Sequence, residues 1–244
     1  MYIQKTYVMR NTIDVERYHS GRYGAPGEVR KSKRKLTPEQ IKQQNYEQTK
    51  KKLKRIINAN FDSGDFHCTL TYKKEHRPNP AEAKKTITNF LRRLSREYKK
   101  LGHELKYIVV TEYEAKSIHH HMIINKEPET TDLMNKHWTV GRVHFTPLDD
   151  TGDYKQLAEY LIKETERTFR NSDSASKQRY TRSRNLIIPE PIKKIVSSKT
   201  FRKDIKPKRG YYIDPDSVVT GVNQFTGHLY MNYTMIRLER KQDG

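Results

Sequence analysis

The chain has 244 residues and carries 49 Lys and Arg against 29 Asp and Glu, a formal net charge of +20. This excess predicts a polyanionic partner, and nucleic acid is the first candidate. A single cysteine excludes an internal disulfide. No apolar run approaches the roughly 20 residues of a membrane span, and residues 1–30 lack the apolar segment of a signal peptide. We therefore expect a soluble, cytoplasmic protein with no membrane partner.

The first 60 residues are polar and basic, and we assign them to a basic N-terminal arm and helix. Residues 1–36 contain several glycines, which favours a mobile arm, with an ordered extension as the alternative. Thr37, Pro38 and Gln40 form a helix-start signature. Because the excess charge is of one sign, we predict phosphate contacts here from Lys33, Arg34, Lys35, Lys51, Lys54 and Arg55.

Residues 61–170 alternate between strand and helix signals. Phe66–Tyr72 has strict polar and apolar alternation, typical of a half-buried strand, and its polar face offers Thr69 and Thr71 to DNA. Asn79 and Glu82 predict a helix start. The remaining signals are a helix to residue 101, strands at 106–112, 117–124 and 142–146, a short helix ending at Trp138, and a helix over 153–168.

This order predicts an α+β fold with a ferredoxin-like β-α-β-β-α-β core, an antiparallel sheet and helices on one face. We assign residues 171–244 to a basic loop and C-terminal accessory region, with a hairpin at 217–238. The Ser- and Arg-rich loop predicts DNA contacts from Arg179, Arg182 and Arg184. No G-x-x-x-x-G-K-[ST] sequence occurs, so we expect a separate host helicase to unwind DNA.

Three consecutive histidines lie in the strand Ser117–Ile124. Side chains alternate along a strand, so His119 and His121 should project together and His120 should face the other way. Two converging imidazoles predict half of a metal site. A histidine cluster at a strand edge, without a metal, is the alternative.

The last helix of this region carries a tyrosine on its polar side. Tyr154 falls on the apolar stripe, whereas Tyr160, Lys163 and Arg167 fall on the opposite side. A phenol with an ordinary pKa near 10 is a weak nucleophile. A neighbouring ammonium favours the phenolate, and a divalent cation polarises a phosphoryl oxygen. Tyr160 could then attack phosphorus and form a covalent intermediate.

At these residues the chain resembles the HUH endonuclease superfamily, in particular its rolling-circle replication initiators of the Rep type. Three motifs match in order: the strand Phe66–Tyr72, the His119-His120-His121 triplet, and Tyr160-Leu161-Ile162-Lys163, a Tyr-x-x-Lys. The match spans about residues 61–168 and implies the same ferredoxin-like core. One departure is His120, since the residue between the two ligands is usually apolar in the family.

The resemblance implies a nick in single-stranded origin DNA that depends on Mg²⁺ or Mn²⁺. His119 and His121 correspond to metal ligands, Tyr160 to the nucleophile that keeps the 5′ phosphate, and Lys163 to the supporting lysine. For the third ligand we predict Glu112, provided that the hairpin register sets it opposite His119 or His121, with His67 as the alternative. We also expect the origin DNA to contain a hairpin.

Two other functions remain open at this point. A transposase or a mobilisation relaxase would use the same chemistry as a replication initiator of a plasmid, phage or integrated element. A non-catalytic ferredoxin-like nucleic-acid binder would need neither the metal nor Tyr160.

Overall fold

The structure, a computed structural model, describes residues 1–19, 37–114, 117–169, 179–198, 200–201, 204–223 and 227–238. The helices are α1 (Pro38–Asn60), α2 (Pro80–Lys100), α3 (Thr130–His137) and α4 (Lys155–Phe169). The strands are β1 (Tyr2–Val8), β2 (Thr12–Tyr18), β3 (Phe66–Leu70), β4 (Tyr107–Glu114), β5 (Ser117–Ile124), β6 (Val143–Pro147), β7 (Thr181–Arg182), β8 (Ile192–Val196), β9 (Tyr211–Ile213), β10 (Val219–Val222) and β11 (Leu229–Arg237).

The chain forms two compact units. Thr49–Ile187 forms one, and Met1–Gln48 together with Ile188–Gly244 forms the other. Our predicted boundaries near residues 60 and 170 therefore differ from those of the structure. The difference arises because both ends of the chain contribute strands to one sheet, which a division into consecutive segments cannot represent.

The unit Thr49–Ile187 is built on a five-stranded antiparallel sheet in the order β6-β3-β5-β4-β7. Strand β5 lies between β3 and β4, the two strands that α2 connects. This arrangement confirms the predicted ferredoxin-like α+β core. Strand β7 is an additional edge strand on β4 that the sequence did not predict.

Helices α2 and α3, the two helices of the predicted core, pack on one face of this sheet. Asn79 caps α2 with a capping box, in which it accepts from the Glu82 N–H and the Glu82 carboxylate accepts from the Asn79 N–H. The N-cap of α3 is Glu129 and not the predicted Thr130 or Thr131, because Thr130 is buried and its hydroxyl accepts from the Glu127 N–H. The shared core contains Phe66, Cys68, Leu70, Ile87, Phe90, Leu91, Leu94, Tyr98, Val109, Met122, Ile124, Leu133, Met134 and Trp138.

Helix α4 packs against β4 on the opposite face, which bears His121. Asp153, just before α4, accepts a hydrogen bond from Asn58 Nδ2 at 2.8 Å and pairs with Lys54 Nζ at 3.3 Å. Asn58 Oδ1 accepts from the Tyr154 N–H at 3.0 Å. The segment of α1 within this unit therefore fixes the start of the helix that carries Tyr160.

The other unit contains a six-stranded antiparallel sheet in the order β10-β11-β2-β1-β8, with β9 also pairing with β11. Its core is formed by Ile13, Val15, Met231, Tyr233 and Met235. The prediction of a mobile arm is wrong for residues 2–18, which form the hairpin of β1 and β2. The hairpin predicted at 217–238 is confirmed by the pairing of β10 with β11.

Candidate active site

Strand β5 separates its three histidines as alternation predicts. His121 faces α4, where its Nε2 lies 3.5 Å from the Tyr160 hydroxyl. His120 faces the α2 and α3 core and is fully buried. His119 is two residues from His121 and therefore shares its face.

Glu112 lies beside the two outward-facing histidines. The register of β4 with β5 pairs Glu112 directly with His119. Its Oε2 lies 3.2 Å from His121 Nε2, and both side chains are buried. The register that our prediction of Glu112 required is therefore present, whereas its role as a metal ligand stays a prediction.

His121 is 4% exposed and is held from several sides. Its Nδ1 lies 3.4 Å from Thr69 Oγ1, a neighbour on β3. Burial lowers the pKa of His121, the Glu164 carboxylate opposes that shift, and His119 adds to it. A neutral imidazole is the form that can bind a metal.

Tyr160 projects from α4 over His121 and remains 41% exposed. The two rings are nearly perpendicular, at 86°, with centroids 5.2 Å apart. Burial raises the pKa of the Tyr160 phenol, and the carboxylates of Glu164 and Glu112 raise it further. Lys163 is exposed on the same helix three residues later. The tyrosine is thus accessible to a strand of DNA and adjacent to the His121 and Glu112 pair.

Tyr154, the other tyrosine of this segment, does not join the site. It is buried, and its hydroxyl donates to the Asp149 carbonyl at 3.1 Å. Tyr160 is thus the tyrosine that α4 presents to the histidines, as its position off the apolar stripe predicted.

His67, our alternative third ligand, also lies in the site. Its ring stacks on that of His121 with centroids 5.6 Å apart, and it meets Tyr160 edge-on at 6.1 Å. Its Nε2 is buried and has no hydrogen-bond partner among the described residues. Burial lowers the pKa of His67 to about 4, with a smaller contribution from His121.

Glu164 is a site residue that our sequence reasoning missed. Its carboxylate acts electrostatically on both His121 and Tyr160. The spacing offered a signal, because Glu164 lies four residues after Tyr160 and therefore on the same side of the helix. The site contains a second carboxylate in addition to Glu112.

His120 lies on the core side with both ring nitrogens bonded. Its Nε2 lies 2.8 Å from the Tyr72 hydroxyl, and its Nδ1 lies 2.9 Å from Thr111 Oγ1. Burial lowers the pKa of His120 to about 3, and His121 and His119 lower it further. His120 is therefore a neutral core residue that faces away from the site.

The donors on the site face suit a divalent cation by type, since imidazole and carboxylate both bind Mn²⁺ and related metals. The buried, unpartnered Nε2 of His67 agrees with a ligand in this region. Within the described part of the chain, however, no group of three His, Cys, Asp or Glu side chains is arranged as a ready metal site.

The residues predicted to contact DNA are placed unevenly. Lys54 and Arg55 are buried, and Lys54 pairs with Asp153, which argues against the predicted phosphate contacts. Lys51, Thr69, Thr71, Arg179 and Arg182 are partly exposed and Arg184 is exposed. Lys33, Arg34, Lys35 and the side chain of Arg167 lie outside the described residues.

Comparison with protein families gives one result. Residues 65–167 match the family of the replication-associated protein ORF2. This is a family of rolling-circle replication initiators, so the match confirms the resemblance to Rep-type proteins and supports a role in replication initiation.

The matched segment runs from β3 almost to the end of α4 and includes every residue of the candidate site. Comparisons with curated proteins and with solved structures gave no match. Among the helices in the described residues, none has the length and apolar character needed to cross a membrane.

Proposed function

We propose that this Rep-type protein nicks single-stranded DNA at a replication origin and becomes linked to the 5′ phosphate through Tyr160, thereby initiating rolling-circle replication of a plasmid, phage or integrated element. The observation that carries the proposal is the Tyr160 hydroxyl 3.5 Å from His121 Nε2, with Glu112 Oε2 3.2 Å from the same nitrogen. An exposed nucleophile thus adjoins a buried set of metal-binding donors.

The reaction is a transesterification. The Tyr160 phenol loses its proton, and its oxygen attacks phosphorus while the bond from phosphorus to the 3′ oxygen breaks. The 3′ oxygen takes the electron pair and a proton, which leaves a 3′ hydroxyl that can prime synthesis. The new phosphotyrosine ester conserves the bond energy, so the strand can be rejoined later.

Two features of the chain support this step. The Lys163 ammonium on α4 would favour the phenolate over the phenol. His119, His121 and Glu112 would hold a cation, with His67 as the alternative ligand. When bound, Mg²⁺ or Mn²⁺ would polarise a phosphoryl oxygen and offset the negative charge of the carboxylates.

The competing functions are distinguished by different observations. A transposase or relaxase would use the same site, and the family match favours replication. A non-catalytic DNA binder would have no use for an exposed tyrosine beside buried histidines. For the partners, we propose origin DNA that contains a hairpin and a separate host helicase.

The test uses the full chain, Mn²⁺ and single-stranded origin DNA labelled at either end. We expect a 3′-end label to join the protein in a covalent adduct, and a 5′-end label to remain on a free fragment that a polymerase can extend. Tyr160→Phe should abolish the adduct. Tyr154→Phe, which removes the buried tyrosine of the same segment, should retain it. An adduct that persists in Tyr160→Phe would contradict the assignment of the nucleophile.

A further inference from the structure

His120 joins three strand segments through one buried imidazole. It lies on β5, its Nδ1 bonds Thr111 on β4 at 2.9 Å, and its Nε2 bonds the hydroxyl of Tyr72, two residues after β3, at 2.8 Å. We call these three residues the His120 bridge. An apolar side chain at position 120 could pack in the same space but could make neither bond.

Aromatic packing encloses the bridge. Trp138 meets the His120 ring edge-on at 5.8 Å and the Tyr72 ring at 5.2 Å. The Trp138 indole N–H also donates to the Thr71 carbonyl at 2.9 Å. A Cβ added at Gly141 would lie 1.7 Å from that carbonyl oxygen, so the chain after α3 packs tightly on this segment. Tyr72 therefore has little freedom to move away from His120.

Each strand residue of the bridge adjoins a site residue in the chain. His120 lies between His119 and His121, and Thr111 precedes Glu112. Thr111 and His120 are partners in the same register that pairs Glu112 with His119. Because a one-residue slip would move every side chain to the other face, bonds on the core face constrain which donors meet on the site face.

From this geometry we propose that His120 is a positioning residue for the metal donors. Its bonds to Tyr72 and Thr111 hold β4 and β5 in the register that sets Glu112 beside His119 and His121. The proposal rests on the proposed function, since it assigns those three side chains to one cation. It also accounts for a histidine at a position where the resembling family usually has an apolar residue.

The first test compares Mn²⁺ binding by the wild-type chain and by His120→Leu, without DNA. Supporting second-layer bonds typically contribute 10-fold to 100-fold in metal affinity, so we expect the Mn²⁺ Kd to rise about tenfold by titration calorimetry. The KM for DNA in the nicking reaction should stay unchanged, because His120 does not face the DNA. An unchanged Mn²⁺ Kd would overturn the proposal.

A triple variant separates positioning from stability. Tyr72→Phe and Thr111→Val, combined with His120→Leu, remove the hydroxyls that the single variant leaves without their partner. We expect the unfolding midpoint to recover toward the wild-type value while the Mn²⁺ Kd stays raised. Recovery of both quantities would show that the bridge is only structural, and would overturn the proposal even if His120→Leu does not fold.

Tyr98→Phe is the matched control. The Tyr98 hydroxyl bonds Thr130 and the Asn125 carbonyl in the same core, away from the histidine triplet. Its loss should lower the unfolding midpoint and leave the Mn²⁺ Kd unchanged. An equal rise in Kd would point to general destabilisation and would also overturn the proposal.

The outcome for Tyr160 is separable from these results. Loss of the adduct in Tyr160→Phe, together with an unchanged Mn²⁺ Kd in His120→Leu, would overturn this inference and leave the proposed function standing. An adduct that survives Tyr160→Phe, or a wild-type chain that binds no Mn²⁺, would overturn the function and the inference that rests on it.

Discussion

The two faces of β5 place neighbouring histidines in different chemical settings. On the core face, His120 has a bond at each ring nitrogen, at 2.8 and 2.9 Å. On the site face, the contacts of His121 are longer, at 3.2 to 3.5 Å, and His67 beside it has an unpartnered Nε2 within the described structure. Polar groups on the core face satisfy one another, whereas those on the site face are arranged around Tyr160.

This contrast shows that burial alone does not distinguish a functional histidine from a structural one. His120 and His121 are both buried, and burial lowers the pKa of both. They differ in the completeness of their hydrogen bonds, because buried polar groups in a stable core are normally paired. Loosely bonded donors on one face therefore indicate where a ligand would bind.

The largest effect should come from removing a donor on the site face. We expect His121→Ala to lower the rate of adduct formation by at least about 100-fold, because it deletes the donor nearest both Tyr160 and Glu112. The rate is measured with labelled single-stranded DNA and Mn²⁺. His103→Ala, a histidine paired with Glu127 and Glu129 instead, is the control and should cleave normally. Cleavage at the wild-type rate by His121→Ala would remove the distinction between the two faces.

A smaller effect should appear in the pH dependence of stability. The pKa values of His67 and His120 in the folded chain, about 4 and about 3, lie below the ordinary value of 6.5. The unfolded chain therefore binds more protons as the pH falls below about 6.5, and the folded state loses stability. Each histidine contributes up to about 1.4 kcal/mol per pH unit in this window.

Urea unfolding in metal-free buffer between pH 7.5 and 4.5 measures this loss. His67→Phe should make the decrease in unfolding free energy between these pH values smaller than in the wild-type chain. His76→Phe, which removes an exposed histidine, is the matched control. If His67→Phe and wild type lose the same stability, His67 is not held neutral in the fold.

The smallest expected effect concerns Glu164. Its carboxylate raises the pKa of the Tyr160 phenol, after the larger effect of burial. Glu164→Gln should therefore lower that pKa and shift the rise of the nicking rate with pH toward lower pH. Glu159→Gln, on the same helix but paired with Lys50, should leave the profile in place. A shift to higher pH in Glu164→Gln would indicate that its charge assists the site in another way.

The sequence predicted most of the fold of residues 61–170, because its signals are local. Alternation in Phe66–Tyr72 and in the histidine strand, and the helical stripe of α2, each follow from neighbouring residues. The separation of His120 from His119 and His121, and of Tyr154 from Tyr160, followed from the same periodicities. These features survive in the structure because strand and helix geometry fix the directions of side chains.

The predictions that failed depended on distant contacts. Lys54 reads as part of a solvated basic run, yet it is buried against Asp153, almost 100 positions later. Residues 2–18 read as an arm because their partners are not nearby in the chain. Strand β2 pairs with β11, more than 200 residues away, and β1 pairs with β8.

The sequence by itself determined the type of chemistry available: histidines that share a strand face, a tyrosine off the apolar stripe, and a strong excess of positive charge. Only the tertiary structure decided which groups meet. The register of β4 with β5 sets Glu112 opposite His119, and the packing of α4 on β4 brings Tyr160 and Glu164 to His121. The reason is that side-chain direction is set by local backbone geometry, whereas register and packing depend on the burial of surfaces far apart in the chain.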